Sequence, residues 1–178
     1  MIGMASDDSV KGRIIRNKSE LDEALKSARM SLKESEEKKD DGGIARDYSN
    51  IGQILKDKGE LDEALSYAKM ALEIQTRLDD KVGMAVSYNN IGQILQDRGE
   101  LDEALSYAKM ALKMDEELND LFQVATDYFN LISLCYLIKN DGEELVYLKK
   151  LKQLLDRVPS YSSMDYIIKR IKELEDKG

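Results

Sequence analysis

Between Ile44 and Leu72 the apolar residues keep a helical rhythm, break once and resume. Ile44, Tyr48, Ile51 and Leu55 recur at the spacing that lines one face of an α-helix. The pattern predicts a helix from Gly43 to about Lys58. Gly59 then stands where a helix C-terminus favours a residue tolerant of positive φ. Asp62 and Glu63 follow as carboxylates suited to the positive end of a second helix dipole. Leu61, Leu65, Ala68 and Leu72 supply the apolar stripe of that helix. The unit is a helix, a glycine turn and a second helix.

The unit recurs almost letter for letter. Tyr48 to Leu72 and Tyr88 to Leu112 differ at only three of 25 positions, at an offset of 40 residues. Self-similarity at this period marks a stacked-repeat protein, whose units cannot bury their apolar faces alone. The offset reaches further in both directions. Glu20 to Leu25 matches Glu60 to Leu65, and Tyr128 and Tyr147 continue the columns begun by Tyr48 and Tyr67. Four units are expected, at about 6–40, 41–80, 81–120 and 121–158, within one solenoid spanning 1–178. Met30, Met70 and Met110 also align, and such a ladder reads as packing.

The small residues are the more specific signal. Gly52 and Gly92 lie in helix interiors, where glycine costs about 1 kcal/mol relative to alanine. Ala64, Ala68 and Ala71 thin the facing helix, as do Ala104, Ala108 and Ala111. Both sets are explained by two helices at unusually close approach.

At these residues the chain resembles the tetratricopeptide repeat family. The resemblance runs through Tyr48, Ile51-Gly52, Leu55, Gly59, Ala64 and Ala71. It repeats as Tyr88, Ile91-Gly92, Leu95, Gly99, Ala104 and Ala111. The usual repeat is about 34 residues, whereas this one is 40. Thr76 and Glu116 replace the family's late proline, and Ala68 and Ala108 stand where it usually has an aromatic. The added length resembles the longer-helix subclass of kinesin light chain and the spindle-orientation adaptors. The resemblance covers roughly residues 8–156. It implies an all-α fold, a right-handed superhelix (α-solenoid) of antiparallel helix pairs.

Both end units depart from the pattern, as capping repeats do. Asp8 and Lys11 replace the aromatic and apolar positions of the first, although Gly12 and Ala24 remain. Ile132, Lys139 and Glu144 replace the glycines and the alanine of the fourth. Pro159, the only proline, breaks the chain, and Ser162 with Asp165 resembles a capping box. Tyr166, Ile167, Ile168, Ile171 and Leu174 are expected to form the apolar side of a C-terminal capping helix, about 162–177, over the open end of the stack.

Charge and composition narrow the function. A net charge of −8 argues against sequence-independent nucleic-acid binding, which depends on neutralising phosphates. The N-terminus lacks the apolar core of a signal peptide. The longest apolar run, Leu131 to Ile138, is far short of the ~20 residues that span a bilayer. No membrane partner is expected, and the chain reads as soluble and cytoplasmic. Histidine is absent, which excludes His-based zinc sites and Ser-His or Cys-His nucleophile pairs. No phosphate loop or EF-hand spacing occurs. Cys135, the single cysteine, sits at a large-residue position and reads as a packed thiol. No cofactor, metal or catalytic residue is expected, and the chain does not read as an enzyme.

What remains is the other face of the first helices. Arg46, Ser49, Asn50 and Gln53 share a stripe distinct from the apolar one. The resemblance matches them to the concave groove in which the family receives peptides. Across units they form a ladder of Asn50, Asn90 and Asn130, with Gln53 and Gln93 one turn on. Amides both donate and accept, so they can hold the backbone of an extended ligand. The alternative is that the asparagines bridge neighbouring helices. Arg13, Arg16 and Arg46 lie by the early part of the stripe; Phe129, Tyr136 and Leu137 lie by the late part. A ligand acidic at one end and apolar at the other would fit, although Asp57 and Asp97 favour some basic character. The expected groove comprises Arg13, Arg46, Asn50, Gln53, Asn89, Asn90, Gln93, Phe129, Asn130 and Ser133, and the expected partner is a protein or peptide. The competing role is structural, with homo-oligomers built through the stack ends or the convex face.

Overall fold

A computed structural model describes residues 5–156 and 164–177, with side chains over 18–156 and 166–177. Among the described residues the secondary structure is eight helices and no strand. They are α1 (Ala5–Lys38), α2 (Asp41–Asp57), α3 (Leu61–Arg77), α4 (Lys81–Asp97), α5 (Leu101–Leu118), α6 (Leu121–Leu137), α7 (Asp141–Leu155) and α8 (Met164–Glu175). The break at Pro159 and the capping box of Ser162 and Asp165 fall outside what is described. The chain divides into two compact units, the first ending at Leu78 and the second beginning at Asp79.

From α2 to α7 the connections keep a strict beat. Residues 39, 59, 79, 99, 119 and 139 all adopt positive φ, one every 20 residues. Gly59 and Gly99 do so at φ of 79° and 81°, as the pattern requires of a helix stop. Lys139 takes the same conformation at φ 59° without that freedom. At alternate connections the next residue caps the following helix. Asp40 accepts from Gly43 N–H, Asp80 from Gly83 N–H, and Asp120 from the N–H groups of Phe122 and Gln123. Each satisfies donors that the first helical turn leaves without a carbonyl.

In the first unit α2 packs against both α1 and α3. Ile51 and Leu55 on α2 are fully buried, as are Ala64, Ala68 and Ala71 on α3, the helix packed against it. A Cβ at Gly52 would lie 3.2 Å from the Ala64 carbonyl oxygen, so the glycine is what lets the two backbones approach. Tyr48 and Tyr67 stack with ring centroids 5.6 Å apart. Helix α1 departs from the repeat. Where the pattern predicts a helix pair, it runs unbroken to Lys38. Ser19 occupies the register of Gly59 and Gly99, and the helix continues through it.

In the second unit each helix packs on the next, from α4 through α8. Tyr88 pairs with Tyr107 and Tyr128 with Tyr147, both at 6.2 Å, repeating the first unit's ring contact. The core runs through Ile91, Ile94 and Leu95, then Leu131, Leu134 and Cys135, to Leu148 and Leu151. Helix α8 covers α7 with Ile167 and Leu174. Tyr166 and Ile168, expected on the same apolar side, are instead 65% and 48% exposed. They sit about 100° either side of Ile167, outside the narrow stripe of Ile167, Ile171 and Leu174 that α7 can reach. The methionine ladder is likewise corrected. Met30, Met70 and Met110 are 60%, 39% and 46% exposed, because alanines hold the inner face of the second helices.

Candidate functional site

Of the groove residues expected in the first unit, Arg46, Asn50 and Gln53 all lie on the side of α2 away from Ile51 and Leu55. Arg46 and Asn50 are exposed and Gln53 is half-buried. Gln53 Nε2 donates to Asp57 Oδ1 at 3.1 Å, one turn on. Asn50 and Gln53 border a cleft of about 470 Å³ shared with Ser27 and Ser31 of α1. Its wall includes Asp47, a buried carboxylate that accepts from Ser31 Oγ at 2.8 Å and Ser35 Oγ at 2.6 Å. Arg13 and Arg16 belong to the part of α1 whose side chains are not described.

In the second unit α4 carries Asn89, Asn90 and Gln93, all half-buried. Asn89 Nδ2 donates to Asp127 Oδ1 on α6 at 2.8 Å. This asparagine therefore bridges two helices. On α6, Phe129 is 38% exposed, Ser133 is exposed and Asn130 is half-buried. Phe122 and Tyr136, seven residues to either side of Phe129, are 67% and 61% exposed. A spacing of seven returns to nearly the same side of a helix. Phe122, Phe129 and Tyr136 thus form one exposed aromatic stripe, which holds both phenylalanines of the chain. Arg170 lies over the Tyr136 ring at 5.3 Å.

Sequence reasoning missed the buried polar residues beneath these faces. Ser35, Gln75 and Asp115 occupy one 40-residue column, and Asp47, Ser87 and Asp127 another; all six are buried. The signal was available as two polar columns running through otherwise apolar or small positions. In the first unit serine hydroxyls satisfy the Asp47 carboxylate. In the second, Asp115 faces Asp127, carboxyl to carboxyl.

That pairing reshapes the local electrostatics. Burial, reinforced by Asp115 and Glu116, raises the Asp127 carboxyl to about 7, against the pull of the Asn89 hydrogen bond. Asp115 is also raised, chiefly by burial. Two carboxyls in hydrogen-bonding range require a proton on one of them. Tyr128 donates to Glu116 at 3.1 Å, and burial pushes its phenol up to about 12. Burial also pushes the Cys135 thiol up to about 11, with Glu143 adding to the shift. The reactive thiolate is thereby disfavoured, consistent with a packed cysteine.

Comparison with known proteins places this geometry. The profile described as tetratricopeptide repeat matches residues 43–117. No curated protein matches the chain at the level of sequence. Among solved structures, BtubC (BKLC) from P. vanneervenii is similar, with a TM-score of 0.69 and 17% identity over 88% of this chain and 71% of that one. The apo form of RapI has a TM-score of 0.76 and 17% identity over 90% of this chain, which spans 45% of RapI. A putative kinesin light chain of Podospora anserina with nearly identical TPR-like repeats has a TM-score of 0.55 and 11% identity, over 93% and 92% of the two chains. At these identities the likeness shows the fold, an all-α solenoid of helix pairs. Over residues 43–117 the chain is thus similar to the tetratricopeptide repeat family.

Proposed function

We propose that this chain is a protein-interaction module whose first helices bind a peptide or helical segment of a partner protein. The observation that carries the reading is the aromatic stripe of α6. Phe122, Phe129 and Tyr136 leave large apolar surfaces in water on one side of a helix, an arrangement characteristic of a contact face. Asn130 and Ser133 lie beside it, and Asn90 and Gln93 occupy the same register on α4. These groups supply the donors and acceptors with which a peptide backbone can be held. In the first unit Arg46 and Asn50 offer a polar, cationic counterpart on α2. A ligand segment on α6 is expected to be apolar, and one on the Arg46 face of α2 to be acidic.

The reading assigns no catalysis. Similarity to a repeat family supports a non-enzymatic role, and many of the carboxylates already serve as helix caps and ion-pair partners.

Selection from a displayed peptide library tests the proposal. The wild-type chain should enrich a defined peptide motif. A Phe122→Ser/Phe129→Ser variant that keeps its helical circular dichroism should lose those peptides by at least ten-fold. Equal retention by both proteins would move the binding face elsewhere. Arg46→Glu should weaken an acidic ligand by more than Arg46→Ala does.

One observation favours a second reading. Tyr166 and Ile168 are exposed on α8, as expected if the end of the stack joined copies of the chain. Light scattering would then give a mass that rises with protein concentration and falls back to monomer in Tyr166→Ser/Ile168→Ser.

A further inference from the structure

The second unit contains a recess that the interaction reading does not use. It lies between α4, the C-terminal end of α5 and the start of α6, and holds about 220 Å³. That volume is below the few hundred cubic ångströms of a cofactor or drug-sized ligand and suits a single side chain. Val82, Val86 and Leu118 make its apolar wall, while Asn89, Asp115 and Gln123 bring polar groups to it. Asp115 is 4% exposed, and Asp127 beside it is fully buried. Among the described residues Asp127 Oδ2 has no donor other than the proton the pair holds with Asp115. A buried carboxylate oxygen in that condition is costly unless something compensates it.

Among the described residues the groups that act on the pair are further carboxylates, and the nearby cations are engaged elsewhere. Glu116 on α5 and Asp120 in the α5–α6 connection both act on the pair as further negative charges. Helix α4 contributes the neutral Asn89. Lys81 on α4 is engaged by Glu117 at 3.5 Å, and Lys150 on α7 sits over the Tyr128 ring at 5.9 Å. At the equivalent place in the first unit Asp47 is fully compensated by Ser31 and Ser35. The repeat therefore has one form of this site held by hydroxyl donors and another in which two carboxyls hold a proton between them.

We propose that the recess beside Asp115 and Asp127 receives the alkylammonium side chain of a lysine from the partner segment. Its methylene stem lies against Val82, Val86 and Leu118, as long cationic side chains lie on apolar walls. Its three N–H donors meet the Asp115 carboxylate and the side-chain oxygens of Asn89 and Gln123. An ammonium suits the site better than a guanidinium, because it is a compact charge with rotatable donors and needs no planar fork. When it binds, the proton held by the carboxyl pair leaves to solvent and the ammonium supplies the replacing positive charge. Binding and deprotonation are thus linked, and the ligand strengthens as pH rises. This inference rests on the interaction reading for the source of the lysine, but the recess can be tested without any partner.

The probe is N-acetyl-lysine amide at up to about 50 mM, followed by amide chemical-shift changes in the intact chain. Its uncharged isostere N-acetyl-norleucine amide and N-acetyl-arginine amide serve as comparisons. The lysine probe should shift the amides around Asn89, Asp115 and Gln123, and the norleucine probe should not. A pair titrating near neutrality predicts about ten-fold tighter binding at pH 8 than at pH 6, as the competent fraction rises. Asp115→Asn and Asp127→Asn, which keep the shape and lose the charge, should each abolish the selective shift. No shift with the lysine probe, or equal shifts with norleucine, overturns the proposal. A stronger response to arginine overturns the choice of ammonium. Failure of the wild-type chain to enrich any peptide in library selection would remove the interaction reading and leave this result standing. A negative probe result would remove the recess and leave the aromatic face standing.

Discussion

Gly52 and Gly92 occupy twin positions in near-identical sequence, yet their surroundings differ by tenths of an ångström. A Cβ at residue 52 would meet the Ala64 carbonyl oxygen at 3.2 Å and Ala68 N at 3.4 Å. At residue 92 the same contacts are 3.4 Å and 3.7 Å, which is ordinary van der Waals range. Alanine gains about 1 kcal/mol of helix propensity at either place. At Gly92 that gain should survive, whereas at Gly52 the backbone of α3 must yield. Gly92→Ala is expected to be neutral or stabilising, and Gly52→Ala to be less favourable by about 1 kcal/mol. Urea denaturation of the two variants measures the difference directly, and the reverse order would show that the close approach is not what selects glycine. That glycine is needed was legible in the sequence. Which of the two sites is tighter was not, since it depends on a helix separation that no residue letter encodes.

Among elements, α8 shows how one pair of residues can dock a helix. Arg170 Nε and Nη2 bond Glu144 on α7 at 2.7 and 2.9 Å, a bidentate pair with the glutamate side chain 1% exposed. Glu144 stands at the register of Ala64 and Ala104, so a position that elsewhere thins a helix here anchors its neighbour. The hydrogen bonds to Glu144 and its charge raise the Arg170 guanidinium above its usual value, against the cost of burial. Truncating the two partners should not be equivalent. Arg170→Ala leaves a buried carboxylate without a cation and is expected to cost about 3–5 kcal/mol. Glu144→Ala leaves an arginine still able to reach Glu173 and should cost clearly less. Unfolding midpoints of both variants decide this, and negligible losses in both would mean that α8 is held by Ile167 and Leu174 alone. The sequence marked Glu144 as a departure from the repeat but gave no partner, because Arg170 lies 26 residues away on another helix.

At the scale of the whole molecule, the acid pair of the second unit should govern how stability varies with pH. Asp127 has a folded-state value near 7, above the ~3.9 of an unfolded aspartate. Its folded form therefore binds the proton more tightly than the unfolded chain does. The stabilisation is fully present below about pH 4 and is lost as pH rises through 7, to a total of a few kcal/mol. Thermal midpoints should fall between pH 5 and pH 8 in the wild type. Asp127→Asn, whose amide can donate to Asp115 without titrating, should flatten that fall. A wild-type profile that is already flat over this range would show that the two carboxyls do not share a proton.

The sequence by itself determined the helices from α2 to α7, their 40-residue register, the glycine stops and the close-approach faces. All of these follow from local preferences and from a periodicity that repeats along the chain. The tertiary structure decided which of the similar side chains meet. It turned Asn89 toward Asp127, set Asp115 against Asp127 where the first unit sets serines against Asp47, and left Phe122, Phe129 and Tyr136 in water. Helical periodicity fixes which side of a helix a residue occupies. Whether that side meets solvent, a backbone or another carboxylate is settled only when a second helix packs against it.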